Sequence, residues 1–348
     1  MVFKYIWNGV VAVRQQRVRI ADIAEELGVS TATVSNVIHG KTSKVSEETV
    51  KRVQELLERR GYIPDMAGIL LAQNSSGIVG IIINNHEKYE NHVLEDGFIS
   101  ASLNALSIEL DKAGYFMLVK VLTGWNEIIK IASMWNMEGL VLIGFCEQEY
   151  HKLREKMHIP FVVYDGYLKE KGRICNLIAD SYGGGFKSGE YLRQIGHKRV
   201  LCIADNYICM DKERVDGCMD GMADGVADFM QIPQTKEERE VFYNKNLEKI
   251  LAYTAVFAVS DFYAAELIYK LQERGVKIPD DISVIGFDDS FWCEKVFPSL
   301  TTIRQEPAER ARLAVAILEE MKHGDYDRAS VLLKTSLVKR SSTAPPCR

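Results

Sequence analysis

The stretch VRIADIAEELGVSTATVSNVIHGKTSKVSEETVKRVQELLERRGYIP, residues 18–64, carries three short apolar patterns of helical period. Ile20, Ile23, Ala24 and Leu27 follow the i, i+3, i+4, i+7 rule, and Gly28 stands where a helix needs a left-handed exit. Ser30 is placed to cap a second helix that turns Val34, Val37 and Ile38 inward and leaves Thr31, Ala32, Ser35 and Asn36 together on the other side. Two short helices joined by GVS read as a helix-turn-helix. A third helix is predicted from Ser46, with Glu47 and Glu48 at its positive end and Val50, Val53 and Leu57 inward, ending near Arg59, Arg60 and Gly61. The outward face of the second helix is small enough for a major groove, and Asn36 and the hydroxyls of Ser and Thr can pair with base edges or phosphates.

The rest of the chain sets limits on this reading. At 348 residues and 47% hydrophobic composition it is long enough for two or three compact units. Residues 1–73 hold ten Lys and Arg against eight Asp and Glu, while the remainder has seven more acids than bases. The positive excess therefore lies where a phosphate-binding module needs it. Seven cysteines, Cys146, Cys175, Cys202, Cys209, Cys218, Cys293 and Cys347, are scattered without a C-x-x-C pair or a histidine cluster, which speaks against a metal site and for a reducing cytoplasm. No apolar run approaches the ~20 residues that cross a bilayer, so no membrane association is expected. MVFKYIWNGVVAVRQQR, residues 1–17, reads as an extension or as the product of an upstream start, with a true start near Val13 or Val18.

Beyond Ser76 the pattern alternates. GIVGIII, YFMLVKV, GLVLIGF and FVVYD form one series of short apolar runs separated by helical segments; CNLIAD, RVLCIAD, TAVFAVS and ISVIGFD form a second. Two such series predict two doubly wound parallel-sheet halves with a ligand at the carboxyl ends of the strands, in the cleft between them. Enzyme signatures are missing: GGGFKS at Gly183–Ser188 lacks the spacing of a phosphate loop and reads as a glycine-rich helix entry, and neither G-x-G-x-x-G after the first strand nor G-x-S-x-G occurs. No cofactor is called for.

The motif GVSxxTVSxV followed by VSxxTxxxVxxxxxxxxYxP, and the continuous run from Val18 to Ile83, resemble the N-terminal end of the lactose-repressor (LacI/GalR) family of bacterial transcription regulators. Weaker likeness extends over about 320 residues in all. The resemblance implies an N-terminal all-α helix-turn-helix domain with a hinge helix, followed by a periplasmic-binding-protein-like α/β core of two subdomains. It implies that Thr31 and Ala32 open the recognition helix and discriminate bases, with Ser35 and Asn36 behind them, while Ser30 and Thr33 hold phosphates. Asn36 replaces an arginine common in relatives, so the operator is left open. Leu71 falls on the leucine that wedges between base pairs in the minor groove, though Gly68 and Ile69 replace the usual alanine and arginine.

The boundaries expected on this basis are an extension at 1–17, the helix-turn-helix domain at 18–63, a hinge at 64–76, a core at 77–340 and a tail at 341–348. Within the core, one subdomain is expected at about 77–173 and 301–325, the other at about 174–300 and 326–340. Effector-binding candidates come from strand ends. Arg214 in KERVDG matches the arginine that grips effector hydroxyls in the family, and a five-donor fork suits vicinal oxygens. Asp288 in IGFDDS and Asp165 in VVYDG can accept from sugar hydroxyls; Ser260 in FAVSD stands beside Asp261 where relatives carry Asn and Asp; Trp292 and Tyr164 can stack on a ring. NNHEKYENHVLEDG is longer and more polar than the corresponding segment of relatives, which bears on the effector's identity.

The expected protein is thus a cytoplasmic, ligand-responsive repressor that binds a palindromic DNA operator as a homodimer and takes a small-molecule effector, a sugar or related metabolite. Control by a partner protein or a non-sugar effector, and a sugar-binding transport-type protein, are the alternatives.

Overall fold

The computed structural model describes residues 18–63, 76–145, 150–166, 174–324 and 330–347. The expected hinge at 64–75, including Leu71, and the extension at 1–17 lie outside the described residues. The chain divides into two units, one ending at Asn74 and one beginning at Ser75.

In the first unit, α1 (Ile20–Leu27), α2 (Thr31–Ile38) and α3 (Glu47–Arg59) follow from local chemistry. Gly28 takes the left-handed conformation at φ 66° and closes α1. The hydroxyl of Ser30 accepts from the Thr33 amide at 3.1 Å and that of Ser46 from the Thr49 amide at 3.3 Å, satisfying donors that the first helical turn leaves free. Ile23, Ala24, Val34, Val37, Val53 and Leu56 form the buried centre, with Ile20, Leu27, Ile38, Val50 and Leu57 packed around it. Leu56 and Leu57 both lie one turn from Val53, at i+3 and i+4; Leu56 is buried in the centre and Leu57, expected there, is half-buried beside it. Such a core contributes on the order of 10 kcal/mol before chain entropy is subtracted.

The second unit holds two six-stranded sheets. The first contains β1 (Ile78–Asn84), β2 (Phe116–Leu122), β3 (Gly139–Ile143), β4 (Phe161–Tyr164), β5 (Ile174–Ala179) and β11 (Ser330–Leu333), in the order β11-β5-β4-β3-β1-β2, all parallel. The second contains β6 (Arg199–Ala204), β7 (Val226–Gln231), β8 (Ala255–Ala258), β9 (Ser283–Asp288), β10 (Thr301–Arg304) and β12 (Ser336–Val338), in the order β12-β10-β9-β8-β6-β7. Its neighbours are parallel apart from the edge strand β12, which runs antiparallel to β10.

Helices cover both faces of each sheet, which is why the central strands are continuous apolar runs. In the first sheet Val79, Ile81, Ile83, Val141 and Ile143 pack on one side with α4 (Gly97–Lys112) and α11 (Pro307–His323). Ile78, Ile82, Leu140 and Leu142 pack on the other with α5 (Trp125–Met134) and α6 (Tyr150–Lys156). The second sheet is enclosed with α7 (Ser181–Gln194), α8 (Cys209–Gly221), α9 (Lys236–Ile250) and α10 (Asp261–Glu273). GGGFKS proves to lie inside α7, and its glycines let α7 and α8 meet backbone to backbone. A Cβ at Gly185 would overlap the carbonyl of Arg214, and one at Gly217 the carbonyl of Tyr182.

The strand pairing moves the expected subdomain bounds. Residues 174–179 pair with β4 and 330–333 with β5, so both belong to the first half, whereas 301–304 pair with β9 in the second. The chain changes halves after Ala179, after Arg304 and after Leu333, each time at the carboxyl end of a strand. A short apolar run satisfies either sheet equally, and only its partner decides which one it joins. Residues 341–344 are likewise no loose tail: Ser342 is buried, its hydroxyl donates to the Val284 carbonyl at 2.6 Å, and the Ala344 amide donates to Ser283 Oγ at 3.0 Å. Among the described residues no helix is long and apolar enough to cross a membrane.

Candidate functional site

Two sites emerge, one in each unit. On α2, Thr31, Ala32 and Asn36 are exposed along one side, opposite the buried Val34 and Val37. Ser30 is also exposed, while Thr33 and Ser35 are half-buried. The Ser30 and Thr33 hydroxyls share a 2.8 Å hydrogen bond, and the Ser35 carbonyl lies 2.7 Å from His39 Nδ1. The N-terminus of α2 has no acidic residue in its first turn, so its free amides and positive dipole end remain suited to a phosphate.

The second site is the crevice onto which the carboxyl ends of both sheets open. Arg214, on α8, is 94% buried; its Nη1 donates to the Val259 carbonyl at 2.7 Å and lies 3.8 Å from Asp288 Oδ1, and its guanidinium stacks 3.8 Å above the Phe287 ring. Its Nε has no hydrogen-bond partner among the described residues. Asp288 ends β9 in the left-handed region at φ 126°. Burial pushes its carboxyl well above the usual carboxylate range, and Asp261 and Asp96 push the same way against Arg214 and the amide of Gln305.

Asp165 is placed differently from expectation. It follows β4 at φ 55°, is buried, and spends Oδ1 on Arg310 Nη2 at 2.6 Å and on the Ala179 amide at 2.9 Å. Arg310 donates from Nη1 to Gln305 Oε1 at 3.2 Å, and Gln305 Nε2 donates to Asp288 Oδ1 at 2.7 Å. Asp165, Arg310, Gln305, Asp288 and Arg214 thus form one polar chain that passes from the first half to the second along the β10–α11 crossover. Tyr164 lies under the Arg310 guanidinium at 4.3 Å and is buried, with its hydroxyl unpaired among the described residues.

Ser260 caps α10 by accepting from the Tyr263 amide at 3.4 Å, and is half-buried. Asp261 beside it is buried at the centre of the second half: its carboxylate accepts from the Ser290 amide at 2.7 Å, from Cys293 Sγ at 3.0 Å and from the Thr302 hydroxyl at 2.5 Å. Burial raises its carboxyl to about 6 in spite of these bonds. Trp292 is half-exposed and packs edge-on against Phe291; a Cβ placed on Gly97, at the start of α4, would come 3.6 Å from its Cδ1, so the indole stands at the rim close to the first half.

Several crevice residues carried no expectation. Asp205, following β6, obeys the same strand-end rule that singled out Asp288, so RVLCIAD held the signal. Arg310 and Gln305 lie in a crossover and a helix, where spacing marks nothing. Lys88, Tyr89 and Tyr263 come from a loop and a helix start. Among the described residues no group of His, Cys, Asp and Glu is arranged to hold a metal ion.

Comparison with known proteins agrees with this architecture. Residues 19–65 match the bacterial regulatory proteins of the lacI family, and residues 190–343 match the periplasmic binding protein-like domain. The HTH-type transcriptional repressor PurR of Aliivibrio fischeri strain MJ11 is 29% identical over 343 residues, covering 93% of this chain and 97% of that protein. The fold is similar to that of the lac repressor dimer bound to operator and the anti-inducer ONPF, with a TM-score of 0.80 at 22% identity over 94% of this chain and 100% of the other. It is also similar to that of the transcriptional regulator CelR in complex with cellobiose, with a TM-score of 0.67 at 20% identity over 94% and 100%. The chain thus joins a helix-turn-helix domain of the lacI family of bacterial regulatory proteins to a periplasmic binding protein-like core.

Proposed function

We propose that the protein is a ligand-responsive transcriptional repressor that binds a palindromic operator as a homodimer and responds to a small polar effector in the crevice of its core. The observation that carries the DNA-binding part is the exposed row Thr31, Ala32 and Asn36 on a capped helix of a three-helix unit. Thr31, Ala32, Ser35 and Asn36 face base edges, Ser30 and Thr33 face phosphate, and Leu71 wedges into the minor groove.

For the effector, Arg214 and Asp288 are the central pair, Ser260 and Trp292 lie at the rim, and Asp165 acts through Arg310. The unpaired Arg214 Nε and Tyr164 hydroxyl are buried groups that a hydroxyl-bearing ligand such as a sugar would satisfy. Effector binding favours one mutual orientation of the two halves, and this orientation is linked to operator affinity. Phe262 and Tyr269 stand on one side of α10, 47% and 58% exposed, and Gln272 of the same helix donates to the carbonyl of Phe297, which is 84% exposed. That apolar face supports pairing with a second copy, and paired recognition helices about 34–36 Å apart read successive turns of DNA. The proposed place of action is the cytoplasm.

The test is selection of DNA from a random pool by the full-length protein, followed by titration of the selected duplex at stated salt. A palindromic consensus with sequence-dependent affinity is expected; equal affinity for scrambled DNA would overturn the reading. A screen of sugars, nucleosides and phosphorylated metabolites against the protein–DNA complex then tests the crevice, and Leu71→Ala is expected to weaken operator binding.

A further inference from the structure

The helix α11 runs through the first half from the crevice to the place where the chain enters the core. Its 17 residues span about 25 Å, and Ala311, Ala314, Leu318 and Met321 bury its body against the sheet and α4. A polar clamp holds each end. At the crevice end Arg310 pairs with Asp165 and donates to Gln305 Oε1 at 3.2 Å, and Gln305 Nε2 donates to Asp288 Oδ1 at 2.7 Å. The Gln305 amide donates as well to the Asp288 carbonyl at 3.4 Å, so main chain and side chain of Gln305 both follow the position of Asp288.

At the far end Lys322 Nζ donates to the Glu138 carboxylate and, at 2.5 Å, to the Tyr115 hydroxyl, which in turn donates to Glu319. Glu138 accepts on its other oxygen, Oε1, from the Gly77 amide at 2.7 Å. Gly77 is left-handed at φ 61°, immediately after the expected hinge, and Ser76 before it is buried, its hydroxyl donating to the Asn136 carbonyl at 2.6 Å. One carboxylate therefore ties the end of α11 to the first turn of the core. Lys322 and Glu138 are 28% and 14% exposed, a partly desolvated pair whose bond counts for more than one on open surface. Beside them a Cβ on Gly139 would come 3.1 Å from Leu318 Cδ2, so the helix lies close on the strand that follows Glu138.

A helix is stiff along its axis, and directional bonds at both ends keep it from slipping past either partner. A small shift of Asp288 is therefore passed through Gln305 to Arg310, and from there to Lys322, about 18 Å further along the helix. We propose that α11 is the rod that couples the effector crevice to the chain's entry into the core, with Gln305 and Arg310 as positioning residues at the crevice and Lys322 and Glu138 as positioning residues at the entry turn. The proposal rests on the reading of crevice and operator given above and names the route of their linkage. An effector that takes the Asp288 carboxyl competes with the Gln305 side chain and releases one end of the rod; by reciprocity, operator binding acts on the other end and alters the crevice.

The reciprocal direction is tested without a known effector, by hydrogen exchange of the full-length protein with and without the duplex selected from the random pool. In the wild type the duplex is expected to change amide exchange at residues 286–293 and 303–311 by about fivefold or more. Lys322→Met, remote from both segments, should reduce that change to less than about twofold, while protection of residues 30–40 by the duplex stays as in the wild type. Lys322→Arg should restore the change at the crevice. Arg312→Met, which breaks an exposed pair with Glu309 on the same helix, should leave it intact. Glu138→Gln, which keeps an acceptor for the Gly77 amide, serves as the second variant if Lys322→Met does not fold, and should act as Lys322→Met does. A full-sized change at the crevice in Lys322→Met and Glu138→Gln would overturn the α11 route and keep the linkage. An equal loss in Arg312→Met would trace the effect to general loosening of the helix and overturn the route as well; no change at the crevice of the wild type would overturn the linkage and the route together.

Discussion

Arg310 Nη2 lies 2.6 Å from Asp165 Oδ1, and both side chains are at least 97% buried. The pair joins a helix that has just crossed from the second half to the end of a central strand of the first. Removing one partner leaves a desolvated charge behind, so Arg310→Met is expected to cost about 3–5 kcal/mol, and adding Asp165→Asn to return a substantial part of it. Urea unfolding of the wild type, both single variants and the double variant measures this coupling. A loss below about 1 kcal/mol for Arg310→Met would show that water reaches the pair.

The contact of α7 with α8 sets where Arg214 stands. Gly217→Ala places a methyl group against the Tyr182 carbonyl, and neither backbone can withdraw without moving a helix. A destabilisation of about 1–3 kcal/mol is expected, together with a weakened response to whatever effector the screen identifies. Unchanged thermal unfolding would mean that the helices separate freely.

Asp261 gives a pH signature. Its carboxyl titrates at about 6 in the folded chain against an ordinary value of 3.8, because burial penalises the charge. The folded state therefore holds this proton more tightly, and the stability it contributes is full below pH 4 and lost as pH rises through 6. The difference corresponds to about 3 kcal/mol. Asp261→Asn cannot ionise, so the stability of the wild type relative to this variant should fall between pH 4 and 7. A flat difference across that window would place the ionisation elsewhere.

Asn36 is exposed beside Thr31 and Ala32, and its amide can both donate and accept. Asn36→Ala is expected to relax base preference at one position of each half-site and to cost about 1–3 kcal/mol there, with little effect on affinity for scrambled DNA. Repeating the DNA selection with the variant measures it; an unchanged consensus would assign Asn36 to the solvent-facing side.

The helix-turn-helix unit was legible because its determinants are local. A glycine for the left-handed exit, a serine for each cap and apolar residues one turn apart act within a few residues of chain, and Gly28, Ser30 and Ser46 do in the fold what their positions predict. The two-series pattern of strands was legible for the same reason. Which sheet residues 174–179, 301–304 and 330–333 join was not, since an apolar run fits either sheet and its pairing is settled by distant chain. The exposed face of α2 and the existence of a polar crevice were therefore determined by the sequence alone. The contents of the crevice were decided by tertiary structure: burial turned Asp165 from a free acceptor into the partner of Arg310, and packing set Gln305 between Arg310 and Asp288. Charge neutralisation in a desolvated space depends on which groups meet there, and spacing along the chain does not encode that meeting.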